Sequence, residues 1–178
     1  MSTPELTVIF DSVYGSTEHY ARSFAGRFGA TPVALGDAPS SVGQLPGLGP
    51  VVVFSPNYAG QISGAKWLRD NALGGHPTAL VVVGMSVSSW VRERDGAAKA
   101  LGDNADRITR FYLPGRLIHS KLSRIHRGTL WSLNQMLRRK SNRTVNEEEI
   151  VRQYGRDIDR VDDTELDPVE QWARGHLA

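Results

Sequence analysis

The chain has 178 residues, 40% of them hydrophobic and 8% aromatic, which suits one domain with a real core and excludes a disordered segment. It has no cysteine, hence no disulfide, no thiolate metal site and no catalytic thiol. Its net charge is a mild +2, and no apolar run approaches the roughly 20 residues that a membrane helix needs.

The polar start Met1-Ser2-Thr3-Pro4-Glu5 passes at once into Leu6–Phe10, an apolar, β-branched run. That is unlike a signal peptide and reads as a buried strand, so a cytoplasmic setting is the expectation. From Glu18 through Phe28 the spacing is helical, with Tyr20, Phe24, Ala25 and Phe28 on one side. Between strand and helix lies a hydroxyl-rich turn: Ser12, Val13, Tyr14, Gly15, Ser16, Thr17. A strand that turns into a helix in this way builds an anion site, because the unpaired N–H groups of the first turn and the helix dipole both favour negative charge. Gly15 lets the backbone adopt an unusual conformation there. The turn holds no Lys or Arg; the first is Arg22. Neither G-x-x-x-x-G-K-[ST] nor G-x-G-x-x-G is present, so a triphosphate or dinucleotide loop is excluded. What remains is a site for one phosphate, held by hydroxyls and amides. The alternative is an ordinary turn with Ser16 or Thr17 as N-cap.

The wording D-S-V-Y-G-S-T-E-H-Y-A, Asp11 to Ala21, resembles the flavodoxin family, and most of all the flavodoxin domains of A-type flavoproteins. The resemblance implies FMN as cofactor, with its phosphate on Ser12–Thr17. The sequence departs from that family at Tyr14, where a Ser or Thr is usual, which puts one phosphate hydroxyl in question.

Further along, Thr31–Leu35 reads as a short strand, with Pro32 suited to an edge. Residues 36–49 read as loop with at most one helical turn, near Val42–Gln44. Pro50–Phe54 and Thr78–Val83 are unbroken apolar strands of the kind covered on both faces. Between them Gly64–Leu73 is helical, with Trp67 and Leu68 inward and Lys66, Arg69 and Asp70 outward. This alternation predicts a parallel sheet with helices on both faces. Ligands of such sheets bind beyond the carboxyl ends of the strands, which directs attention to Ser55–Ser63 and Gly84–Trp90. An isoalloxazine needs flat apolar faces and backbone hydrogen bonds to its polar edge. Tyr58 or Trp90 can stack on it and Met85 can lie against it. The candidate residues here are Pro56, Asn57, Tyr58, Ala59, Gly60, Met85, Ser86, Val87 and Ser88. For Tyr58 and Trp90 core packing is the alternative.

Arg92–Leu101 looks helical, Asn104–Arg107 breaks it, and Arg110–Leu113 is a fifth strand ended by Pro114-Gly115. A minimal domain would then need one more helix, yet some sixty residues remain. From Arg116 to Arg143 there is no acidic residue, but eight Lys or Arg are interleaved with apolar residues. This reads as a basic amphipathic helix or helix pair, with Gly128 as a break. Its apolar face either packs on the sheet or docks to lipid or a partner. Asn146–Glu149 opens another helix, Arg156–Val161 is a strand piece, and Asp167-Pro168 starts a last helix with Val169, Trp172 and Ala173 inward. The acidic stretch 144–170 is placed to neutralise the basic one.

The run F-Y-L-P-G-R-L-I-H-S-K-L, Phe111 to Leu122, is similar to a passage in the bacterial quinone-dependent protoporphyrinogen dehydrogenases. That resemblance implies electron transfer between a reduced substrate and a membrane quinone. His119 and His126 lie seven apart without acidic or thiol neighbours, so a structural or solvated role is expected rather than a metal site. No nucleic-acid motif accompanies the basic run. The expectation is one flavodoxin-like α/β domain, 1–178, with five parallel strands and an inserted helical segment, 116–160. It binds FMN and needs no catalytic side chain. The alternative is a flavin-free scaffold of the same fold. The lack of an acidic surplus around the flavin predicts a bias toward two-electron chemistry.

Overall fold

The computed structural model describes residues 5–45, 47–58, 60–71, 73–85 and 95–177. Strands β1 (Thr7–Phe10), β2 (Val33–Ala34), β3 (Val51–Tyr58), β5 (Thr78–Gly84) and β6 (Ile108–Pro114) form a parallel sheet in the order β2-β1-β3-β5-β6. A short β4 (Gln61–Ile62) pairs antiparallel with the end of β3. The register sets Val8 beside Val52, Val53 beside Leu80 and Val81 beside Phe111.

Strand periodicity explains the layering. Val52 and Phe54 face one side with Val8, Phe10 and Val81, under α1 (Ser16–Gly26) and α6 (Asp167–Leu177), which bring Tyr20, Phe24, Val169 and Ala173. Val51 and Val53 face the other side with Ile9, Leu80 and Val82, under α2 (Ser63–Asp70) and α3 (Gly96–Leu101), which bring Ala65, Leu68, Ala97 and Leu101. Central strands covered twice carry unbroken apolar runs, as Val51–Phe54 of β3 and Ala79–Val83 of β5 do. The chain leaves β1 for β2 on one side and returns to β3 on the other, so the strand order reverses beside β1 and opens a crevice there.

Several boundaries differ from the sequence reading. The predicted strand Thr31–Leu35 shrinks to Val33–Ala34 at the sheet edge, and Leu35 enters a 3-10 turn, Leu35–Asp37, besides the one at Val42–Gln44. β3 does not stop at Phe54 but runs to Tyr58 and folds back as β4, so the stretch from Ser55 is a hairpin rather than a loop. Its neighbour β5 continues alongside as far as Val83, opposite Pro56, which keeps β3 extended. The predicted helix from Arg92 begins, among the described residues, at Gly96 with Asp95 as N-cap.

After β6 the chain forms β7 (Arg116–Leu117), α4 (Arg124–Arg139), α5 (Val145–Gln153) and β8 (Ile158–Asp159). β7 and β8 pair antiparallel, Arg116 opposite Asp159, and so tie the two ends of this excursion together. Gly128 does not break α4. A mid-helix glycine costs only about 1 kcal/mol against alanine, and Ser123 caps the helix by accepting from the His126 N–H. No helix among the described residues is long and apolar enough to cross a membrane.

Candidate functional site

The β1–α1 turn is shaped by its own residues. Gly15 sits at the N-cap with φ +86°, a left-handed conformation open to glycine, and no side chain caps the helix. The Gly15 N–H donates to Ser12 Oγ at 3.1 Å. Ser16 and Thr17 are therefore not caps: they are the first two helical residues, 8% and 2% exposed. Neither hydroxyl has a protein partner among the described residues. The N–H groups of Ser16, Thr17 and Glu18 have no helical acceptor either.

The end of β3 is ordered by Asn57, whose Oδ1 accepts from the Gly60 N–H at 3.1 Å while Gly60 takes φ +82°. The Tyr58 hydroxyl is buried with no hydrogen-bond partner among the described residues, and burial raises its pKa, so it stays a proton donor. Below it, Ser63 Oγ donates to Asp11 at 2.5 Å and the Gly64 N–H donates to Ser55 Oγ at 2.9 Å. α2 presses closely on β3 here: a Cβ on Gly64 would lie 2.8 Å from Ser55 Cβ and 2.9 Å from Val53 Cγ1.

One cavity of about 540 Å³ joins these parts, within the range of small-molecule sites. Of the residues proposed from sequence, Val13, Tyr14, Ser16, Thr17, Pro56, Asn57, Tyr58, Gly60 and Met85 line it. Ser12 and Gly15 build the turn beside it. Ala59, Ser86, Val87, Ser88 and Trp90 lie outside the described residues.

The other half of the cavity was not read from the sequence. Tyr112 and Leu117 contribute, as do Leu130 and Leu133 of α4, Glu149, Ile150 and Gln153 of α5, and Tyr154. His119, expected to be structural or solvated, lines the cavity with a buried Nε2 that has no hydrogen-bond partner among the described residues, its ring edge-on to Tyr154 at 5.2 Å. His126 hydrogen-bonds through Nδ1 to the Tyr14 hydroxyl and lies over the Tyr58 ring at 4.3 Å. The seven-residue spacing of these histidines was the one local signal, and it carries no information about what they meet.

Charge around the cavity is mostly neutralised. Arg116, the only Lys or Arg lining it among the described residues, is paired with Asp159 at 2.8 Å. Burial works against the charge of Glu149, yet Arg160 at 2.6 Å and the adjacent Arg152 hold its carboxyl below the ordinary range. Burial and then the hydrogen bond to Asp95 push the Tyr112 phenol far above its ordinary value. No group of His, Asp or Glu among the described residues is placed to hold a metal ion.

The apolar side of α4 neither packs on the sheet nor faces outward whole. Leu130 and Leu133 close the cavity and Leu137 is buried, while Ile125, Trp131 and Met136 are 79%, 54% and 61% exposed. The basic and acidic stretches meet at Lys140–Glu147, 2.7 Å, but Arg124, Arg127, Arg138 and Arg139 have no ion pair among the described residues.

The donor set fits an FMN. A dianionic phosphate suits uncapped amides and free hydroxyls; a flat ring suits Tyr58 and Met85. No curated protein matches the chain. A family model described as a flavodoxin domain matches residues 7–144, which hold the whole parallel sheet and the β1–α1 turn, and the chain therefore belongs to the flavodoxin-domain family, whose members usually bind FMN.

Proposed function

We propose that this chain holds FMN on the turns after β1, β3 and β5 and exchanges electrons with a small organic molecule admitted to the same cavity. The observation that carries this reading is the continuity of that cavity, from the uncapped first turn of α1 to a wall made by α4 and α5. Bound FMN supplies one- and two-electron transfer. The chain's own residues do the rest. The N–H groups of Ser16, Thr17 and Glu18, with the hydroxyls of Ser12, Ser16 and Thr17, hold the phosphate. Tyr58 offers a ring face and Met85 a soft apolar contact. Leu117, Leu130, Leu133 and Ile150 keep water from the reacting end, and His119 Nε2 is free to hydrogen-bond an oxygen of the reactant.

A quinone and a protoporphyrinogen-type substrate are the two reactants that the Phe111–Leu122 resemblance suggests. The described wall favours the quinone. Its one guanidinium is already paired, which leaves no cation for a carboxylate, whereas an imidazole donor suits a neutral carbonyl. Such an acceptor resides in a membrane, and the outer arc of α4 supports contact there. Arg124, Arg127, Arg138 and Arg139 surround exposed Trp131, and each cation near an anionic leaflet is worth about 1 kcal/mol. Arg127→Glu with Arg138→Glu is expected to abolish sedimentation with phosphatidylserine vesicles; undiminished sedimentation refutes the contact.

Titration with FMN tests the central reading. One FMN per chain, with quenched flavin fluorescence and subsequent reduction of a soluble quinone by the reduced complex, is expected. A colourless protein that excess FMN cannot reconstitute supports the flavin-free scaffold instead, a reading kept open by Tyr14, whose hydroxyl is committed to His126.

A further inference from the structure

We infer that His126, carried by the excursion after β6, is a positioning residue of the cofactor site: it latches α4 across the two loops that hold FMN and sets how long FMN stays. The inference rests on the FMN reading above. Three observations carry it. First, His126 reaches both loops at once. Its Nδ1 shares a hydrogen bond with the hydroxyl of Tyr14, 112 positions away, and its ring lies 4.3 Å from that of Tyr58 with a tilt of 37°. Second, it is the only residue of α4 that joins these loops by a side-chain hydrogen bond or a ring contact among the described residues. Its backbone is fixed by the Ser123 cap, so the imidazole is held at the first turn of the helix. Third, His126 stands outside the cavity, while Tyr14, Tyr58 and, one turn further along α4, Thr129 and Leu130 line it. The latch therefore spans the rim and does not fill the flavin's place.

This gives Tyr14 a purpose. At the position where a small hydroxyl would meet a phosphate, the turn carries a longer side chain whose hydroxyl points away to the helix. One phosphate contact has been exchanged for a clasp. With the clasp closed, FMN passes the rim only when α4 lifts.

Tyr14→Phe and His126→Phe each remove the shared hydrogen bond and keep a ring in place. Each is expected to speed FMN release roughly threefold to tenfold, the span set by one hydrogen bond. The double variant is expected to release FMN no faster than the singles, because one interaction is lost once. Thermal melting of the FMN-free variants should fall by no more than the few degrees that one hydrogen bond is worth in a chain of this size, and amide exchange over 124–139 should quicken in both. FMN binding by the parent with unchanged release from both variants overturns the latch and leaves the functional reading intact. Absence of FMN binding by the parent overturns both. Additive effects in the double variant also overturn it, since the two residues would then act separately.

Discussion

Gly15, Ser16 and Thr17 carry the weight of the proposed phosphate site, each for a different reason. A Cβ on Gly15 would meet nothing within 4 Å, so a substitution there acts through the backbone alone. At φ +86° an L side chain costs about 1–2 kcal/mol. Gly15→Val is thus expected to weaken FMN binding about tenfold while lowering thermal stability slightly, read by fluorescence titration and melting. Ser16→Ala and Thr17→Ala each remove a hydroxyl that would meet a charged oxygen, worth about 1.5–3 kcal/mol and so roughly ten- to a hundredfold in affinity. Equal affinity in both variants would put the phosphate elsewhere. The turn was legible from the sequence because its parts are adjacent. Which residue caps the helix was not, since Ser and Thr are good caps and only the backbone conformation shows that Gly15 takes the position.

The wall element α5 stands on a capping box: Thr144 Oγ1 accepts from the Glu147 N–H, and Glu147 accepts from the Thr144 N–H at 2.7 Å. Thr144→Ala is expected to cost about 1 kcal/mol and to speed amide exchange over Val145–Gln153, leaving β1 and β3 unchanged. Protons act on the same element. The Lys140 hydrogen bond, with that from the Thr144 backbone, holds the Glu147 carboxyl below its ordinary value of 4.5, and Glu149 is held below it too. Carboxyls depressed by folding bind protons more readily in the unfolded chain. Their stabilisation is complete above 4.5 and drains away as pH falls through the lower folded values. Melting temperature is therefore expected to be level above that pH and to fall below it, with exchange over α5 rising in step; a level profile through the acid range would contradict this. The helices themselves were readable from period and cap. That one uninterrupted helix spans Gly128 was not, because a glycine's cost is small beside the packing of Leu130, Leu133 and Leu137.

At the scale of the molecule, the sheet and its two helical layers depend on close approach. At Gly64 α2 has no room for a side chain against β3, and Gly64→Val should destabilise the fold by about 1–3 kcal/mol through overpacking, seen as a lower denaturant midpoint. A midpoint equal to the parent's would show that α2 can move aside without cost.

Adjacent residues determined much of this protein. The alternation of apolar strands and amphipathic helices specified a parallel sheet covered on both faces, and ten residues around Gly15 specified a tight strand–turn–helix junction, because hydrophobic period and turn chemistry are local properties of the chain. Only the tertiary structure decided what closes the cavity. Arg116 meets Asp159 across 43 positions and Tyr14 meets His126 across 112, and the Nε2 of His119 is left at the cavity without a hydrogen-bond partner among the described residues. Such meetings follow from where the chain returns after β6, and that return is set by the packing of α6 on the sheet and the pairing of β7 with β8, elements that local sequence marks without marking their partners.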